Sequence, residues 1–211
     1  FYNALKAFNA QADEPLHIFH GVWINEEQLV ESLDAFSTEP LEGFQEEMRT
    51  IVDVIHGNAY VPTRVGHASG MYDADVSEYI AGWIIGIEWF QNMVVGTNAA
   101  HESIGQYSGT YFETKEASPF EHWLAMNMDY MLKYEADNYH WIRPMSFTNW
   151  VTTDLLDHPY EPTPETEDLV GVDPNHIYTK GDAQTTGQFA SYHVYPYYPD
   201  FLNFDENYLQ Y

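Results

Sequence analysis

The chain has 211 residues, 33 acidic against 7 basic, for a formal charge of −26, and it has no cysteine. A field of that sign repels phosphate backbones and anionic lipid, so nucleic acid is excluded as a partner, and the missing thiols exclude disulfides, thiolate nucleophiles and cysteine-ligated zinc. With 17 Tyr, 12 Phe and 6 Trp there is apolar surface for one sizeable core, while no apolar run nears the roughly 20 residues of a membrane span, so direct membrane insertion is not expected.

At the start, FYNALKAFNAQ spaces Phe1, Leu5 and Phe8 as the end of an amphipathic helix. The chain opens there without a methionine and reads as a piece of something longer. PLHIFHGVWI (15–24) is short, apolar and aromatic, which predicts a buried strand. PLEGFQEEMRTIVDVIHG then puts Phe44, Met48, Ile51, Val52 and Ile55 on one helical face, with Gly57 as a stop. A Gly- and Asp-rich connection leads to YIAGWIIGIEWF (79–90), whose bulky apolar residues predict a strand buried on both faces.

SPFEHWLAMNMDYMLKYEADNY is the clearest helix: Ser118 caps it with Glu121 three residues on, and Phe120, Trp123, Leu124, Met128, Met131 and Leu132 share a face. IRPMSFTNW (142–150) predicts another strand. Residues 151–187 are polar, proline-rich and without periodicity, and are expected to lie as a loop over the site with few apolar anchors. QFASYHVY (188–195) closes the series as a strand. Strand–helix alternation of this kind predicts one α/β unit whose parallel strands, 16–24, 82–89, 143–150 and 188–195, are neighbours in that order.

Each predicted strand ends in an aromatic beside a hydrogen-bonding group: His20 with Trp23, Glu88 with Trp89, Asn149 with Trp150, and His193 with Tyr195. In parallel α/β folds such ends converge on one rim, where sites are built. Four in succession suggest a cleft that stacks on sugar rings and binds hydroxyls. Glu88 is the sharpest residue, because an apolar strand end would raise a carboxyl pKa toward that of a general acid for glycosidic cleavage. The alternative for Glu88 is a carboxylate that ends its strand and pairs with a helix or an arginine.

No metal and no cofactor is expected. HESIG (101–105) has Gly105 where a zincin helix needs its second histidine, and Asp73 and Asp75 lack the glycine and closing glutamate of a calcium loop. Neither a nucleophile-elbow serine motif nor a glycine-rich nucleotide loop occurs.

GWIIGIEW followed by a helix, then RPMSFTNW, then FASYHVYPYYPDF, resembles the middle of a clan A glycoside hydrolase (β/α)8 barrel. The resemblance implies a partial (β/α)8 (TIM) barrel, about strands three to six with covering helices. It implies Glu88 as acid/base at the end of strand four, His193 and Tyr195 as the sugar-lining pair of strand six, Asn149 and Trp150 at strand five, and His20 and Trp23 at strand three. The clan places Asn before the acid/base to bind the 2-hydroxyl; this chain has Ile87 there. The nucleophile would lie beyond Tyr211, so the chain by itself is expected to be inactive.

The function expected is therefore a glycoside hydrolase-like protein acting on or binding a neutral poly- or oligosaccharide by a retaining acid/base mechanism. The alternatives are a catalytically inactive carbohydrate-binding protein and an acidic surface interaction module. The acidity suggests an extracellular or cell-surface setting.

Overall fold

The computed structural model describes residues 1–156 and 168–195. The PYYPDF part of the last motif, 196 onward, lies outside them, as do 157–167 of the long polar segment. In chain order the elements begin α1 (Tyr2–Asn9), β1 (Ile18–Val22), α2 (Glu26–Ser32), α3 (Thr38–Ile55), β2 (Ala59–Val61), β3 (Gly70–Tyr72) and β4 (Ile80–Ile85). They continue α4 (Gln91–Ala100), β5 (Phe112–Thr114), α5 (Pro119–Tyr139), β6 (Met145–Trp150), β7 (Ile177–Thr179), α6 (Ala183–Thr186) and β8 (Ser191–His193).

Four strands pair in parallel in the order β1–β4–β6–β8, as the alternation predicts. The sheet curls into a half-barrel with helices against it. Register is set by His20 opposite Trp83, Trp83 opposite Met145, and Trp150 opposite His193. Successive side chains alternate between faces. Val22, Trp83 and Ile85 fall on the helix-covered face and are fully buried, whereas Phe19, Trp23 and Ile84 face the other way.

α3 buries Phe44, Met48, Val52 and Ile55, nearly the stripe its spacing predicts. Each such side chain contributes about 1.5–3 kcal/mol on burial. α5 carries the predicted capping box: the Ser118 hydroxyl accepts from the Glu121 amide and the Glu121 carboxylate accepts from the Ser118 amide. Glu121 also accepts from the Asp173 amide and pairs with His176, tying the segment after β6 to the helix.

Several expectations are corrected. In α1 the buried residues are Leu5 and Asn9, while Phe1 and Phe8 are exposed, because the helix turns Tyr2 and Leu5 toward β1 and β3. Phe19 of β1 points away from the helix-covered face and stays exposed rather than buried. α2 and α4 are not legible in the sequence as separate helices, and the connection after α3 contains the antiparallel β2–β3 hairpin. The described part of 151–187 is anchored rather than loose. Val172 and Ile177 are buried, β7 pairs antiparallel with β5, and Ala183 of α6 lies in the core.

At the N-terminal end of β4 and β6 a buried ion network crosslinks the layers. Glu135 of α5 accepts from the Trp83 indole at 2.7 Å and from Arg143 Nε at 2.7 Å, and faces His56 Nε2 at 3.0 Å. Arg143 also donates to the Ile80 carbonyl and lies over the Trp141 ring.

Candidate functional site

The site forms where β4 stops. The Gly86 amide still donates to the Val22 carbonyl at 2.8 Å, extending the β1–β4 ladder by one bond. Gly86 then takes φ +94°, and a Cβ there would stand 2.0 Å from Cζ2 of Trp89. That left-handed turn is open to glycine because it has no Cβ. It lets the Trp89 indole pass into the core, where its N–H donates to the Thr148 carbonyl at 2.8 Å, and it leaves Glu88 at the rim.

Glu88 meets the end of β8 there. His193 Nδ1 lies 2.7 Å from Glu88 Oε1, and the Tyr195 hydroxyl donates to the same oxygen. The two rings meet edge-on, with centroids 6.4 Å apart. Hydrogen bonding to Glu88 holds the Tyr195 phenol above its ordinary value, aided by desolvation and the carboxylate charge. Glu88 does not sit in the apolar pocket its strand predicts: its side chain is 30% exposed and its contacts are polar.

These three residues border a cleft of about 360 Å³ whose other walls are Trp23, Glu26, Thr148 and Ser191, with Gly21 and Ile84 beneath. Trp23 is 70% exposed, a broad apolar plate at the end of β1. The arrangement offers two carboxylates, an imidazole, a phenol and two small hydroxyls around a flat indole face, the set that a polyhydroxylated ring needs for hydrogen bonding and stacking.

Of the residues singled out from the sequence, Glu88, His193, Tyr195 and Trp23 come together in this cleft. The others are placed elsewhere, which corrects the expectation that all four strand ends share one lining. His20 faces the helix side, against Tyr2 and Trp83, with its Nε2 2.7 Å from the Tyr2 hydroxyl. Burial lowers the His20 pKa, partly opposed by its hydrogen bond to the Gly21 carbonyl. Trp89 is fully buried. Asn149 is buried too, donating to the Val172 carbonyl and accepting from the Thr153 hydroxyl and the Trp150 amide. Trp150 is half-buried, its indole N–H donating to the Trp89 carbonyl at 2.9 Å.

Glu26, Thr148 and Ser191 join the cleft without having been expected from the strand-end pattern. The Asn25 side chain caps α2 by accepting from the Gln28 amide. The helix that starts there, two residues after Trp23, carries Glu26 at the rim.

Neither protein-family models, nor curated proteins, nor solved structures give a match to this chain. Among the described residues no group of three or more His, Asp or Glu side chains is arranged to hold a metal ion. No helix among them is long and apolar enough to cross a membrane.

Proposed function

We propose that this chain is the sugar-binding part of a glycoside hydrolase-like protein, its four parallel strands corresponding to strands three to six of a (β/α)8 barrel. The observation that carries the reading is the meeting of Glu88, His193 and Tyr195 beside exposed Trp23 at the C-terminal end of a parallel sheet. Glu88 is then the acid/base, protonating the glycosidic oxygen and later accepting a proton from water. His193 and Tyr195 hold its carboxyl in place, and Trp23 stacks on the ring. A retaining reaction also needs a second carboxylate about 5 Å away. A polysaccharide partner agrees with an extracellular or cell-surface setting.

A second reading, a carbohydrate-binding protein without hydrolysis, is favoured by Ile87. It is largely buried and apolar where the resembling family has an asparagine for the 2-hydroxyl.

Titration of neutral oligosaccharides into the chain, followed by calorimetry and tryptophan fluorescence, tests the shared part of both readings. Saturable binding weakened tenfold or more by Trp23→Ala is expected, whereas no binding of any sugar at millimolar concentration overturns both. Hydrolysis of the bound sugars by the full-length protein, compared with Glu88→Gln, then separates them. Turnover lost with binding kept supports the acid/base role, and equal rates remove Glu88 from the mechanism.

A further inference from the structure

Resting on the carbohydrate reading of the same cleft, we infer that its preferred ligand is a cationic amino sugar, bound with an ammonium group between the Trp23 face and the Glu26 carboxylate. Four titratable side chains line the cleft: Glu26, Glu88, His193 and Tyr195. Among the described residues, no lysine or arginine lines it.

Apart from Lys6 of α1, the lysines and arginines of the described residues are committed elsewhere, Arg49 donating to the Tyr130 hydroxyl. Arg143 is buried with Glu135, Arg64 pairs with Glu47, Lys115 with Glu113 and Lys133 with Asp137, while Lys180 donates to the Ser108 hydroxyl. The Glu88 carboxylate is answered by His193 and Tyr195. Glu26 is not answered: it makes no hydrogen bond or ion pair with any described residue. A helix N-terminus favours an acid at this position. Glu27 supplies that charge equally well, so the helix does not by itself require an acid on the cleft wall.

Three kinds of sugar polymer can be compared in this setting. A uronate or sulfated chain would place an anion beside two carboxylates on a chain of charge −26 and is rejected. A neutral chain stacks on Trp23 but leaves Glu26 without a partner. A chain with free amines does both, since an indole face attracts a cation and the Glu26 carboxylate of the same cleft pairs with it. The expected preference is about tenfold over the neutral analogue, which corresponds to about 1.4 kcal/mol.

Calorimetry of the wild-type chain and of Glu26→Gln decides this, using equal-length oligomers of glucosamine, N-acetylglucosamine and glucose, together with a simple alkylammonium salt. The titrations are run at about 0.05 M and about 1 M sodium chloride, at a pH where the amines are protonated. Tightest binding of the glucosamine oligomer, with its advantage lost in Glu26→Gln and at high salt, where the Debye length falls to about 3 Å, supports the inference. Equal affinity for the three oligomers overturns it and leaves the sugar-binding reading standing. Glu26-dependent binding of the alkylammonium salt with no binding of any oligomer keeps the cation subsite and overturns the sugar reading. Binding of none of the four overturns both.

Discussion

Replacing Glu135 by Gln should cost this fold about 3–5 kcal/mol. The Glu135 carboxylate is wholly buried and is the shared acceptor for Trp83 and Arg143, with His56 beside it. Arg143 is 3% exposed, and its remaining contacts are one backbone carbonyl and a ring face. Gln keeps the shape but removes the charge, and its amide NH₂ must point at the Trp83 indole or at the Arg143 guanidinium, both donors. Taking away one partner of a buried pair costs about 3–5 kcal/mol, because the other charge stays buried and uncompensated. For a chain of this size that is a fall in Tm of roughly 6–20 °C. Urea unfolding followed by circular dichroism measures it, with ligand binding checked well below the new midpoint. The network lies at the opposite end of the sheet from the cleft, so affinity there should be unchanged. A loss under about 1 kcal/mol with an unaltered m-value would refute the view that Glu135 neutralises Arg143 in the core.

Gly86→Ala should lose about 2–5 kcal/mol and weaken any cleft ligand, since the new Cβ meets the Trp89 ring at 2.0 Å in a left-handed turn. An unchanged urea midpoint would show that the turn tolerates a side chain. For His176, burial by itself lowers the pKa, but the hydrogen bond and charge of Glu121, with Asp173 and Glu116, raise it above 6.5 overall. A raised folded pKa contributes stability that is fully present below about 6.5 and is lost as pH rises through the folded value. His176→Gln should therefore destabilise more at pH about 5.5 than at pH about 9, and a pH-independent difference in unfolding free energy would refute the linkage.

The four strands of the parallel sheet and the long helices α3 and α5 are legible in the sequence because their signals agree at several levels. IAGWII is an apolar run, MSFTNW begins directly after Pro144, and Ser118 with Glu121 starts α5 as a capping box should. α2 is not legible, since its seven residues bury only Leu29. α4 contains Gly96, whose Cβ would collide with the Leu33 carbonyl at 2.2 Å, so tertiary packing selects a residue that helix propensity disfavours. The half-correct site has three causes, strand period, a turn and packing. Neighbours one or three apart along an extended strand face opposite ways, which separates Asn149 from Trp150 and His20 from Trp23, while the left-handed turn at Gly86, past the end of β4, separates Glu88 from Trp89. Only His193 and Tyr195, two apart, share a direction, and both reach the cleft. Applied to the strand ends, the two-residue period turns His20 and one of Asn149 and Trp150 away from any lining shared with Trp23. The remaining member of the Asn149–Trp150 pair is lost to packing, which strand period does not encode.

The two ends of the sheet use the same chemical parts with different consequences. Glu135 with His56 and Glu88 with His193 are both carboxylate–imidazole contacts, at 3.0 and 2.7 Å. Around Glu135 the imidazole is 5% exposed and the carboxylate not at all; around Glu88 the values are 41% and 30%. A ligand hydroxyl that displaces Tyr195 from Glu88 exchanges one hydrogen bond for another, a net change of about 0.5–1.5 kcal/mol, with water able to satisfy the released phenol. The same exchange at Glu135 would strand a buried guanidinium at about 3–5 kcal/mol. Ligand exchange is therefore cheap at the C-terminal rim and prohibitive at the N-terminal end. The difference comes from burial rather than residue type, which is why the acids and histidines of the sequence do not by themselves separate the exchangeable carboxylate from the structural one.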